Sequence, residues 1–230
     1  MRNLLCFSFL LVSILSSFAQ DFSRKDSLRG NLNALRTCYD VVFYDLFVIV
    51  DEQELSLEKS YNVIHFIAKS EIKILQIDLA SNMEVLLIEF EDDTLDFTRE
   101  YDAVNINFNR VIKDGEKTSF KIWYGGYPKE AVNPPWDGGV TWSIDSEGYP
   151  WVGVSCQTNG AHIWFPCKEH PSDKADGAEI IITAPEQLIA VGNGLLISKE
   201  KQKDRWTRWH WKTNFPISPY NINFAIGKLY

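Results

Sequence analysis

What most constrains this chain is the way its apolar residues alternate with others in short bursts. From Tyr39 onward, Val42, Tyr44, Leu46, Val48 and Val50 alternate with Phe43, Asp45, Phe47 and Ile49. A period of two belongs to a strand, whose successive side chains face opposite ways. Here both faces are largely apolar, which predicts a strand in the middle of its sheet. Tyr61, Val63, His65 and Ile67 then share one face, and Leu75, Ile77 and Leu79 another. Leu86, Ile88 and Phe90 alternate with Val85, Leu87 and Glu89, and Val104, Ile106 and Phe108 with Asn105 and Asn107. Phe120, Ile122 and Tyr124 stop at Gly125-Gly126, and further bursts run over 179–183, 188–191, 195–198, 205–212 and 222–226. Asp114-Gly115, Asp137-Gly138 and Asn193-Gly194 mark turns between them. No segment shows a long 3.6-residue apolar period. The chain reads as all-β, with packed sheets in a large saddle-like or sandwich form. Only 21–37 differs: Leu28, Leu32 and Leu35 recur at helical intervals and predict a short lead-in.

With 45% hydrophobic and 13% aromatic residues, the chain has enough apolar area for a real core, which excludes global disorder. Its net charge of −8 argues against a nucleic-acid partner, which would need a concentrated basic face. Residues 1–19 read as a signal peptide. Arg2 gives a positive start, Leu4 to Leu15 an apolar run too short for a comfortable membrane span, and Ser17 and Ala19 the small residues of a cleavage site. Residues 20–38 form the lead-in, 39–230 the β domain, and the mature protein is expected to be exported. Cleavage leaves Cys38, Cys156 and Cys167, an odd number. One pair at most can bridge; Cys156 and Cys167 are the closer pair, and both redox states stay open.

Three constellations invite chemistry and are better explained without it. Cys156, His162, Cys167 and His170 are zinc-type ligands, but their spacing lacks the tight knuckles of a structural site. Trp136, Trp142, Trp151, Trp164, Trp206, Trp209 and Trp211 could stack on sugars, yet Trp209 and Trp211 share one face of a strand opposite Arg208 and His210. Core packing is therefore the expectation for the set. Glu89, Glu91, Asp92, Asp93 and Asp96 lack calcium-loop spacing and suit a solvated hairpin end. There is no G-x-S-x-G elbow, phosphate-cradling glycine loop or H-E-x-x-H pair, so no catalytic residue and no metal site is expected in this chain.

A longer pattern runs through the chain. It comprises Tyr39-Asp40-Val41, Tyr124-Gly125-Gly126, Pro134 to Gly139, Ser155-Cys156-Gln157 and Trp164-Phe165-Pro166-Cys167. Pro171-Ser172-Asp173-Lys174, Val191-Gly192-Asn193-Gly194, Tyr220-Asn221-Ile222 and Ile226-Gly227-Lys228 continue it. In order and spacing this resembles the amino-terminal domain of the aminopeptidase N family of zinc metallopeptidases, which includes the leukotriene hydrolase branch. The resemblance implies a β domain resting on a thermolysin-like catalytic domain that carries H-E-x-x-H, a later Glu and a Gly-x-Met-Glu-Asn segment. That domain, and the zinc cofactor with it, is expected beyond Tyr230, in the same or a separate chain, so this chain alone is expected to be inactive. The resemblance also implies that Gln157 binds the free α-amine of a peptide; a strand-edge cap is its bland alternative. The family's Pro-Cys-x-Asp-x-Pro turn reads Pro166-Cys167-Lys168-Glu169-His170-Pro171 here, with Glu169 in place of Asp. The rival reading is a free-standing exported β-sandwich binding module without enzymatic role.

The leader predicts cleavage between Ala19 and Gln20. The intact mass of protein recovered outside the cytoplasm is expected to begin at Gln20, and a membrane-bound species retaining Met1 would contradict it.

Overall fold

The computed structural model describes residues 22–229, so the predicted signal peptide lies outside the described residues. Two short helices lead in, α1 (Arg24–Gly30) and α2 (Ala34–Thr37). Ser23 Oγ accepts the Asp26 backbone N–H while the Asp26 carboxylate accepts that of Ser23, a reciprocal cap that starts α1. Fifteen strands follow among the described residues. They are β1 (Tyr39–Asp51), β2 (Ser56–Ala68), β3 (Ile72–Asp78), β4 (Met83–Phe90), β5 (Asp93–Thr94), β6 (Asp96–Glu100), β7 (Ala103–Ile112) and β8 (Lys117–Gly126). Then come β9 (Gly139–Ile144), β10 (Pro150–Ser155), β11 (Gly177–Pro185), β12 (Ile189–Gly192), β13 (Leu195–Lys201), β14 (Trp206–Thr213) and β15 (Phe224–Gly227).

The strands make three sheets, with orders β13-β14-β11-β1-β2-β8-β4-β5, β12-β15-β10-β9 and β3-β7-β6. The all-β expectation holds. β1 is interior to the large sheet, as its two apolar faces require, pairing parallel with β11 and antiparallel with β2. Tyr44, Leu46, Val48 and Val50 are buried, and a register shift between Val41 and Phe43 buries Val41 in place of Val42. On β2 the residues Tyr61, Val63, His65 and Ile67 do share a face, but it is the half-exposed one. The sealed face is Asn62, Ile64, Phe66 and Ala68. Asn62 survives there because its side-chain amide donates to the Pro166 carbonyl at 2.8 Å.

The tryptophans divide. Trp164 is fully buried, Trp209 is buried, and Trp142 and Trp211 pack against the core. Trp136 corrects the expectation at 74% exposed, and Trp151 is exposed as well. Trp136 lies in the loop before β9, where the Asp137 carboxylate takes the N–H groups of Val132 and Asn133 and holds the segment outside the sheets. The acidic run is a hairpin end, with Glu91 at φ 55 in the turn and ion-paired to Arg110 at 2.7 Å. Cys38, Cys156 and Cys167 are buried free thiols, so no bridge forms between Cys156 and Cys167.

The lead-in is tied to the core by a charge. Arg36 of α2 is fully buried and donates to Asp78 Oδ1 at 2.5 Å and to the carbonyls of Arg29 and Asn31 at 2.7 and 2.8 Å. Burial pushes Asp78 up to about 6 against the pull of Arg36, leaving it ionised at neutral pH. Removing one partner of such a pair leaves the other charged and unpaired in the interior. Arg36→Ala is therefore expected to cost about 3–5 kcal/mol in urea unfolding. A loss below about 1 kcal/mol would show that the pair is not an anchor.

Candidate functional site: the turn that carries Gln157

β10 ends at Ser155, the last residue paired with β9. The carbonyl of Cys156 then accepts the N–H groups of Asn159 and Gly160 at 3.2 and 2.8 Å, closing a tight turn over 157–160. Gln157 thus sits exposed on a turn just past β10, and not at a strand edge. The backbone passes close to its neighbours here. A Cβ at Gly138 would lie 2.5 Å from the Gln157 carbonyl oxygen, so the Asp137-Gly138 signal marks a close approach of two chain segments. Ser155 Oγ adds a bond to the Pro135 carbonyl at 3.1 Å. The Gln157 side chain is oriented by Tyr220, whose hydroxyl donates to Oε1 at 2.6 Å. An amide oxygen has two lone pairs, so this bond leaves a second acceptor site.

Beneath the turn lies Glu169. Its Oε2 accepts the N–H groups of Ala161 and His162 at 2.6 and 2.8 Å and meets His162 Nδ1 at 3.2 Å. Gly160, at φ 87, has to lack a side chain, since a Cβ would fall 2.5 Å from the Glu169 carboxylate. The Glu169 backbone N–H donates to Asp78 Oδ2 at 3.2 Å, which joins the turn to the Arg36 anchor. On its other side His162 faces Asp102, with Nε2 3.6 Å from Oδ2. Burial alone would lower the His162 imidazole, but the carboxylates of Asp102 and Glu169 outweigh it and hold it above the usual histidine range. Burial opposes ionisation of both carboxylates, yet His162 and the backbone donors hold them below their ordinary values.

A recess of about 380 Å³ opens beside the turn, lined by Arg29, Gly160, Glu169, His170, Pro219 and Tyr220 among others. Arg29 of α1 reaches across to donate to the carbonyls of Thr158 and Asn159 at 3.1 and 2.5 Å. The cysteine and histidine set does not form a metal centre. Burial pushes the Cys156 thiol up to about 12 and Cys167 well above its ordinary value, so both are neutral thiols and not thiolate ligands. Both His162 nitrogens face carboxylates, and His170 Nδ1 is taken by Ser172 Oγ at 2.7 Å. Zinc therefore does not fit these residues; among those described, no cluster of three or more His, Cys, Asp and Glu side chains could hold a metal. Sequence reading named Gln157 and Glu169 but gave no role to Tyr220, which it contained only as part of a tripeptide. Arg29 carried no signal at all.

Residues 44–221 match the model of the peptidase M1 N-terminal domain, and the chain belongs to that family. Over 75 residues it is 32% identical to human glutamyl aminopeptidase, covering 33% of this chain and 8% of that protein. Crystal structures of an M1 zinc metallopeptidase from Deinococcus radiodurans share the fold with a TM-score of 0.69 at 20% identity. They cover 82% of this chain, which spans 42% of their length. One further structure of the same Deinococcus radiodurans enzyme, an E323A mutant, holds a Tyr-Ser-Ala substrate and matches with a TM-score of 0.68 at 20% identity.

The raised His162 sets a pH dependence. A histidine raised on folding binds its proton more tightly in the native state, so its contribution is fully present below the unfolded value of about 6.5. That contribution fades as pH rises through the folded value. The melting temperature of the native chain should therefore fall on going alkaline from about pH 6.5, and the fall should flatten in His162→Gln. Identical alkaline limbs in the two proteins would contradict the cluster's role. The acid limb is mixed, because Glu169 and Asp102 lose stability on protonation whereas Asp78 is relieved by it.

Proposed function

We propose that this chain is the substrate-recognising amino-terminal domain of an exported zinc aminopeptidase. In this reading it works with a zinc catalytic domain, in the same or a separate chain, that removes amino-terminal residues from peptides. The observation that carries the reading is the exposed Gln157 amide, held at 2.6 Å by Tyr220, which itself lines the recess. A peptide ammonium is a pure donor, and a fixed amide oxygen with a free lone pair is its complement. Holding the amine at a set point fixes which peptide bond reaches the reacting centre, so that one residue is removed from the end. Zinc held in the catalytic domain would supply the hydrolytic chemistry, and this chain would orient the amine.

The surroundings of the turn support a docked partner. Trp136, two residues from the glycine that packs on Gln157, is 74% exposed, and Val132 of the same loop is 88% exposed. Phe215, in the segment leading to Tyr220, is 79% exposed. Large apolar side chains left at water are the pattern of a surface covered by another domain. A polar rim would have favoured the free-standing module instead.

The test uses the domain joined to its catalytic partner. Losing a hydrogen bond to a charged group costs roughly 1.5–3 kcal/mol. Gln157→Ala should therefore lower kcat/KM on free-amine peptides by about one to two orders of magnitude, with an unchanged melt. Tyr220→Phe should show a smaller loss in the same direction. Unchanged kinetics in folded Gln157→Ala would remove the recognition role.

A further inference from the structure

β9 is an end strand of the four-stranded sheet, and part of its outer edge is free. Val140 turns outward: its N–H donates to the Lys129 carbonyl at 2.7 Å and its carbonyl accepts the Ala131 N–H at 3.1 Å. The two-residue period puts the N–H and C=O groups of Trp142 and Ile144 on the same edge. The rest of the hairpin agrees, since Asp145 N–H bonds the Tyr149 carbonyl at 2.8 Å and Ile144 stands opposite Pro150, which has no N–H to offer. Among the described residues nothing pairs with the outward groups of Trp142 and Ile144.

Beside that edge lies a cavity of about 440 Å³, lined by Trp142, Ile144, Pro150, Leu55, Glu52 and Glu130 among others. Ile144 is 70% exposed and Leu55 42%, so apolar surface faces water here. Neither Glu52 nor Glu130 has an ion-pair or hydrogen-bond partner for its carboxylate among the described residues, and no Lys, Arg or His lines the space. Open backbone donors and acceptors, an apolar wall and two unpaired carboxylates make one arrangement.

We propose that the free edge of β9 binds an extended peptide as an added strand, with a Lys or Arg side chain of that peptide seated between Glu52 and Glu130. Backbone bonding to Trp142 and Ile144 supplies affinity without regard to sequence, and the cavity supplies the choice of side chain. A long cationic residue suits it on both counts, laying its aliphatic stem on Ile144 and Leu55 while its head meets the carboxylates. An uncharged side chain would desolvate two carboxylates and pair with neither. A second copy of this chain is a poor occupant, because its own β9 edge would bring Trp142, Ser143, Ile144 and Asp145, with no cation.

The test is fluorescence anisotropy of the chain with a labelled octapeptide of alternating Thr and Val around one central Arg. The probe is acetylated at its amino terminus, so recognition of an ammonium plays no part and the outcome is independent of Gln157. Saturable binding is expected. It should weaken by at least about tenfold when Arg is replaced by citrulline, when the pairing-edge amides are N-methylated, and in Glu52→Gln/Glu130→Gln. Neither glutamate is buried, and an unchanged melt of the double variant confirms its fold; the two altered peptides need no protein variant. No saturation at millimolar peptide, equal binding of the citrulline peptide, or equal binding of the N-methylated one would each overturn the proposal.

Discussion

The carboxylate of Glu169 joins parts of this molecule that chain order keeps apart. One of its oxygens takes two successive backbone N–H groups and faces a histidine ring, and the turn folds so closely over it that position 160 has no room for a Cβ. Its own N–H ties back to Asp78, and Asp78 to the guanidinium of Arg36 in the lead-in. A buried charge is costly unless it is paired, and here each member of the chain partners the next. The turn bearing Gln157 is thereby held at both ends, at β10 and at Glu169. An exposed side chain on a rigid base can recognise a ligand without ordering a loop each time.

Much of the architecture was legible because strand periodicity reports burial directly. The two apolar faces of 42–50 placed β1 inside its sheet, and Val104, Ile106 and Phe108 named their own core face. Reading failed where a long-range contact overrides the local pattern. Asn62 looks like a surface residue and is buried because Pro166, far along the chain, offers it a carbonyl. Trp136 looks like core and is exposed because Asp137 holds its loop away from the sheets. The Arg36–Asp78 pair spans separate elements, and neither residue advertises its partner. At the site, resemblance supplied Gln157 and the departure at Glu169, whereas Tyr220 and Arg29 act through contacts that spacing does not encode.

Where the resemblance implies Asp, the Glu at 169 is accommodated by geometry. The longer side chain reaches the N–H groups of Ala161 and His162, and Gly160 gives it room. His162 between Asp102 and Glu169 then makes the base of the site sensitive to pH while Gln157 itself carries no charge. In the proposed role, a neutral amide leaves the pH dependence of amine binding to the peptide's own protonation.

In the proposed role, Gln157 meets the peptide amine directly. A crystal structure of this domain joined to its catalytic partner, with a slow free-amine peptide bound, measures that contact. The amine nitrogen is expected about 2.7–2.9 Å from Gln157 Oε1, with the Tyr220 bond retained. An amine held only by residues of the catalytic domain, with Gln157 out of hydrogen-bond reach, would contradict it.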